Sequence, residues 1–489
     1  MKIILKDETA LINLNFIQSL CLLYFPCEKF SKDTEDTKSV ICTLSVKDGL
    51  LVGNVQLTVY GKSYCYTQSE PAQDCVSREL AKRVMGFCFV KAAQKAFGFI
   101  PPWGIQTGIR PAKALKELCS GLSDTQKEQY MLEKYLTQPN KTRICTDIDK
   151  YELKAVEKLE NKDFSLYISI PFCPSRCTYC SFVSYTTKRL ISLIPEYVER
   201  LCEDIERLAL LVKKRKLVLK TVYFGGGTPT TLNSQQLSAI IDKIHSCFDM
   251  SRVCEFTVEA GRPDTVTKEK LAALKNGGVD RISINTQSAD NEVLRTIGRT
   301  HTFEDYVQAI ELARQVGFKT INTDMIAGLP GESLENFKTG LEKVIDLKPE
   351  NITVHSFTVK RSSSFKHEFL KQGKVCGEIF DMIDFSQKAL SNSMYHPYYI
   401  YRQKNTAGNA ENVGFSLDGH DGLYNIYIME EYHTIFALGA GAVTKLVTPD
   451  RKIIERIFCP KYPYEFLDKS IYSGFAVDKA GEFYDKYFD

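Results

Sequence analysis

Along residues 165 to 359 the apolar positions keep changing period. Six β-rich runs, "SLYISIPF", "KTVYFGGG", "EFTVEAG", "RISINTQS", "TINTDMIAGLP" and "NITVHSFTV", are separated by stretches whose apolar residues recur at three and four spacing: Tyr197 to Lys213, Ser234 to Phe248, Lys268 to Lys275, Phe303 to Val316 and Leu334 to Ile345. This alternation predicts an α/β fold: a parallel sheet with right-handed crossovers, closed or partly closed as a TIM-like barrel of six β/α units. Reactive groups in such a sheet gather beyond the carboxyl ends of the strands.

Residues 1–150 lack the alternation and read as a separate mixed domain, with a strand at "TVYGKSYCYTQ" and an amphipathic helix from Val76 to Ala96. A polar, charged stretch from 137 to 163 suits a boundary. The regular core then covers 164–360, and 361–489 forms a C-terminal part whose topology the pattern does not disclose. The apolar stretch "LINLNFIQSLCLLYF" is interrupted by Asn, Gln and Ser, has no basic lead and is too short to span a bilayer; a cytoplasmic protein is expected. A net charge of only +3 argues against a dedicated nucleic-acid binder, which concentrates basic charge on one face.

Most of the 16 cysteines stand singly in apolar surroundings, among them Cys21, Cys88, Cys202 and Cys247, as free thiols do in a reducing compartment. "IPFCPSRCTYCSF" is different, because Cys173, Cys177 and Cys180 crowd together directly after a strand. Pro171 and Pro174 argue against a buried helical stripe. A zinc site would need a fourth ligand, and none is near in sequence. Three thiolates suit a [4Fe-4S] cluster with one iron open to a small chelating molecule.

Cys-x3-Cys-x2-Cys after the first strand of a β/α barrel is the signature of the radical S-adenosylmethionine (SAM) enzymes. "YISIPFCPSRCTYCSF" closely resembles its form in the oxygen-independent coproporphyrinogen dehydrogenases, and "YFGGGTPT", "VEAGRPD", "RISINTQS", "IGRTHT" and "DMIAGLPGE" follow in the order expected of that family. "WGIQTGIRPAK" and "YRQKNTAGNAENVGFS" resemble its HemZ branch. Two positions depart from the pattern: Ser169 stands where well-matched members carry His, and Phe182 where they often carry a further Cys.

The resemblance implies a [4Fe-4S] cluster on Cys173, Cys177 and Cys180, with SAM's amine and carboxylate at the open iron. It implies further SAM contacts from Gly225, Gly226, Gly227 and Thr228 after the second strand, from Glu259 and Gln287 ending the third and fourth, and from Arg299 and Asp324. Glycines let backbone come close, Glu259 can accept from an ammonium or ribose, and a guanidinium suits a carboxylate. Tyr167 and Tyr179 also fall at family cofactor positions.

In the family mechanism the reduced cluster gives one electron to SAM, and the resulting 5′-deoxyadenosyl radical removes hydrogen from an unactivated carbon. Applied to coproporphyrinogen III, two propionates each lose hydrogen, CO2 and one electron to become vinyl groups. The expected partners are this tetrapyrrole and an electron donor such as flavodoxin or ferredoxin. Candidate anchors for its carboxylates are Arg110 with Lys113, Lys360 with Arg361, and Arg402 with Lys404, of which Arg402 is favoured. Similar proteins act as haem chaperones, for which His355 and His433 are the plausible axial ligands. A radical methyltransferase is a third reading. The loop around Trp103, the one tryptophan, is expected to reach the barrel mouth.

Overall fold

The computed structural model describes residues 1–26, 28–30, 37–72, 76–180, 185–358, 374–403 and 409–488. Its N-terminal part is a four-stranded sheet in the order β1 (Lys2–Asp7), β2 (Ser39–Lys47), β3 (Leu50–Val59), β4 (Lys62–Pro71). "TVYGKSYCYTQ", expected as one strand, is a hairpin. Tyr60 and Gly61 both take positive φ (51° and 72°), so the chain reverses in two residues and β4 returns antiparallel to β3. The helix Arg78–Phe97 packs on this sheet, capped by Ser77 at its start and by left-handed Gly98 at its end.

The polar stretch expected as a boundary is largely helix, Pro139–Val156. Its Ile144, Cys145 and Ile148 are buried while Arg143, Lys150 and Lys154 are exposed, and it packs against the strand that begins at His396. Charge on one face of a helix looks like a linker only when the period is ignored.

The central sheet follows the expected alternation. β5 (Asp163–Ile170), β6 (Val218–Gly226), β7 (Glu255–Glu259), β8 (Arg281–Ser283), β9 (Thr320–Ala327) and β10 (Asn351–Ser356) lie side by side and all run parallel. Ile194–Arg215, Ser234–Cys247, Lys268–Asn276, Phe303–Val316 and Leu334–Asp346 are the intervening helices. Leu166, Ile168, Val222, Phe224, Val258, Ile282, Ile321 and Ile352 fill the interior between sheet and helices.

Strands from beyond residue 390 join this same sheet at both sides. β11 (His396–Arg402) and β12 (Glu411–Ser416) extend it past β10, with β12 antiparallel to β10. β13 (Thr434–Leu438) runs parallel beside β5, followed by β14 (Val443–Val447) and β15 (Ile454–Phe458), which gives eleven strands in the order β11-β12-β10-β9-β8-β7-β6-β5-β13-β14-β15. No helix among the described residues is long and apolar enough to cross a membrane.

Candidate functional site

The carboxyl ends of the six parallel strands open on one cavity of about 350 Å3. Cys173, Cys177 and Cys180 line one side of it, on the loop that leaves β5. None of the three is in a disulfide, and Cys173 and Cys177 are buried. Burial pushes the Cys173 thiol up to about 11 despite a contact of 3.3 Å with Thr228 Oγ1. The loop is pinned from two sides: Thr178 N donates to Ile297 O at 3.0 Å, and the Arg262 guanidinium donates to Ser175 Oγ at 2.9 Å and lies 3.7 Å from Cys177 Sγ.

The glycine run makes room in three directions. A Cβ on Gly225 would sit 2.9 Å from Tyr167 Oη, and one on Gly226, at φ +112°, would meet Ile170 backbone at 3.1 Å. On Gly227 it would lie 2.6 Å from Phe172 O and 3.0 Å from Cys173 Sγ. We expect Gly227→Ala to cost about 1–3 kcal/mol in thermal denaturation through this overlap.

The strand ends carry the polar groups. Glu259 Oε1 accepts from Tyr223 Oη at 2.7 Å; burial raises its carboxyl, Tyr223 and His355 draw it down, and Asp324 opposes them, leaving it at about 7. Asp324 is also raised by burial, but His355, Asn322 and Arg299 outweigh that, and it stays below the usual range. Asn285 Nδ2 and Asn322 Nδ2 donate to its two oxygens at 2.9 and 2.8 Å. Gln287 takes a left-handed φ of 71°, and its buried Oε1 accepts no hydrogen bond within the protein. Arg299 donates to Gly261 O at 2.7 Å and to Tyr179 Oη at 3.1 Å, while its buried Nε has no partner. Orphaned buried donors and acceptors are costly unless a ligand meets them.

Of the residues singled out from sequence, Tyr167, Tyr179, Gly226, Gly227, Thr228, Glu259, Gln287, Arg299, Asp324 and the three cysteines all line this cavity; Gly225 stands behind Tyr167. Arg402 does not line it. Strand periodicity turns Tyr399, Tyr401 and Gln403 toward the cavity and Arg402 to the other face, where its guanidinium lies 5.2 Å over the Trp103 ring and donates to Gln106 O and Asn409 O. The favoured carboxylate anchor is therefore a structural residue, and Arg110 is likewise paired with Glu431. Arg361, Lys404, Lys360 and Phe182 lie outside the described residues.

Ser169 Oγ donates to Ala440 O at 2.8 Å, away from the cavity. His433 is buried at 2.7 Å from Ser165 Oγ, whereas His355 lines the cavity. Sequence reading passed over Arg262, Asn285, Asn322 and Tyr401. Asn322 had a signal: it alternates with Asp324 along β9 and so shares its face, whereas Asn285 lies in the loop beyond β8.

Residues 167–344 match the Radical SAM superfamily. The chain is 38% identical over 406 residues to the "Oxygen-independent coproporphyrinogen-III oxidase-like protein HemZ" of Bacillus subtilis, covering 81% of each chain. It is 30% identical to the "Heme chaperone HemW" of the same organism, over 61% of this chain and 77% of that one. Coproporphyrinogen III oxidase (HemN) from Escherichia coli, a solved structure, aligns with a TM-score of 0.49 at 21% identity, over 67% of this chain and 72% of that one. The chain belongs to the radical SAM superfamily and, within it, to the oxygen-independent coproporphyrinogen-III oxidase-like proteins.

A [4Fe-4S] cluster and SAM are the cofactors of this superfamily, and the cavity fits both. Three thiols face it beside a glycine with no Cβ, and Gln287 and Arg299 offer unspent polar atoms of both kinds. Among the described residues no three His, Cys, Asp or Glu side chains converge as a single metal ion requires. In a four-iron cluster each thiolate instead holds a different iron.

Proposed function

We propose that this protein carries out the oxygen-independent oxidative decarboxylation of coproporphyrinogen III to protoporphyrinogen IX. The observation that carries the reading is the single cavity in which the cysteine loop and the strand-end set Glu259, Gln287, Arg299 and Asp324 stand opposite a wall of aromatic and amide groups, Tyr399, Tyr401, Gln403 and Asn425. The overall likeness to a coproporphyrinogen-III oxidase-like protein supports it.

Cys173, Cys177 and Cys180 would hold the cluster, and Glu259, Gln287, Arg299 and Asp324 would hold SAM. Bound together, these cofactors supply one-electron cleavage of SAM and hydrogen-atom abstraction. The chain's own part is placement. Asn285 and Asn322 fix the Asp324 carboxylate, Tyr223 fixes Glu259, and the sheet bottom closes the site against water. Each of two propionates would lose one hydrogen atom to the SAM-derived radical, and the resulting substrate radical would release CO2 and pass one electron to an external one-electron acceptor.

The haem-chaperone reading draws on the likeness to HemW and on His355 in the cavity. Both nitrogens of His355 are turned to protein groups, Asp324 Oδ2 at 3.5 Å and Tyr401 Oη at 3.3 Å, so a haem iron would have to displace one of them. Anaerobic incubation with reductant, SAM and coproporphyrinogen III tests the choice. CO2 release with a divinyl product is expected. Stable haem uptake without turnover would replace this reading with the chaperone, and a methylated tetrapyrrole with a methyltransferase.

A further inference from the structure

The wall of the cavity away from the cysteines is poor in cations. Among its described lining residues the guanidinium groups are Arg262 and Arg299, and both are engaged beside the cysteine loop. The far wall nevertheless has to receive carboxylates if the substrate is the tetrapyrrole proposed above. His355, about a quarter exposed, is the one imidazole in that lining and stands between the two halves.

Its hydrogen-bonding state is set by its neighbours. Asp324, held as a carboxylate by Asn285 and Asn322, can only accept, so a neutral ring carries its proton on Nε2 and offers the Nδ1 lone pair to Tyr401. The Tyr401 hydroxyl then points at His355, and its oxygen, which also accepts from Gln403 Nε2 at 3.4 Å, shows the cavity only an acceptor. A second proton on the ring reverses this. Nδ1–H donates to Tyr401 Oη, and the Tyr401 hydroxyl is released to donate into the cavity.

We propose that His355 and Tyr401 form a carboxylate-binding subsite that takes up a proton when it is filled: the ligand carboxylate accepts from Tyr401 while doubly protonated His355 bridges Asp324 and Tyr401. This rests on the tetrapyrrole reading and names the receptor for one of its carboxylates. The charged and titratable groups around the ring are Asp324 from β9, Glu259 from β7, Tyr401 with its stacked neighbour Tyr399 from β11, and Arg299 acting through Asp324. SAM also carries a carboxylate, so the source must be separated experimentally.

The test is calorimetric titration of the cluster-loaded protein, anaerobic and without reductant, with coproporphyrin III, the aromatic form that cannot react. Buffers of different ionisation enthalpy near neutral pH report the protons taken up. We expect about one proton with the wild type, none with H355Q, and affinity about tenfold weaker with Y401F, which keeps the ring and its stack on Tyr399. Thermal melting of both variants at the wild-type temperature identifies the changes as local. Porphyrin binding by the wild type without proton uptake, uptake that persists in H355Q, or the same uptake with SAM alone would each overturn the subsite while leaving the proposed reaction standing. No porphyrin binding by the wild type would overturn both.

Discussion

Cys177→Ser will leave the chain folded and remove its iron chemistry. The loop that carries Cys177 is held by backbone bonds that the substitution does not touch, Thr178 N to Ile297 O and Cys180 N to Cys177 O at 3.0 and 3.1 Å. The metal ligand is the thiolate, and a serine hydroxyl ionises far less readily and is a poor match for soft iron. Anaerobic reconstitution should therefore give a protein without the visible absorption of a four-iron cluster. Reductive SAM cleavage should fall by at least about a thousandfold, or about 4 kcal/mol in the barrier. Cys65→Ser, at an exposed thiol on β4, should match the wild type in both measurements. A Cys177→Ser protein with intact four-iron absorption and a wild-type cleavage rate would remove the cysteine loop from the mechanism.

The half of the site that contains the cysteines was legible because its information is local. Each parallel strand announces itself by a run of β-branched and aromatic residues, and the groups at its carboxyl end follow within a few positions. The strand pattern put Glu259 at the end of β7 and the glycines at the end of β6, while a part for them toward SAM came from the family resemblance. The far wall is non-local. β12 pairs with β10 across some 60 residues of chain, and β13 reaches back to β5, so neither neighbour is written near the strand itself.

Arg402 shows the cost. Beside tyrosines it looked like a ligand for an acidic, flat molecule, but a period of two sends it to the opposite face from Tyr401, onto the Trp103 loop. The two stretches that resembled the HemZ branch thus meet each other, and together they set the wall on which His355 and Tyr401 stand.

That meeting point makes Glu411→Gln the largest expected loss of stability outside the cysteine loop. Glu411 is fully buried: its Oε1 accepts from Lys141 Nζ at 2.6 Å and Gln387 Nε2 at 2.7 Å, and its Oε2 from Trp103 Nε1 at 2.6 Å. An amide there would turn one N–H toward a donor and leave buried Lys141 with Asp384 as its remaining counter-charge. Breaking a buried pair from one side costs about 3–5 kcal/mol.

The pH dependence has a definite sign. Burial pushes the Glu411 carboxyl up, but Lys141, Trp103 and Gln387 outweigh it and hold the group at about 2 against an ordinary 4.5. A carboxyl depressed on folding adds stability that is complete above 4.5 and is lost as pH falls toward 2. That gap corresponds to about 3 kcal/mol. Denaturant unfolding followed by Trp103 fluorescence should show the Glu411→Gln deficit at full size at neutral pH and shrinking once pH drops below 4.5. A deficit that does not change with pH would mean that the lost shape, not the lost charge, is what matters. No deficit at neutral pH would mean the Lys141 pair contributes nothing.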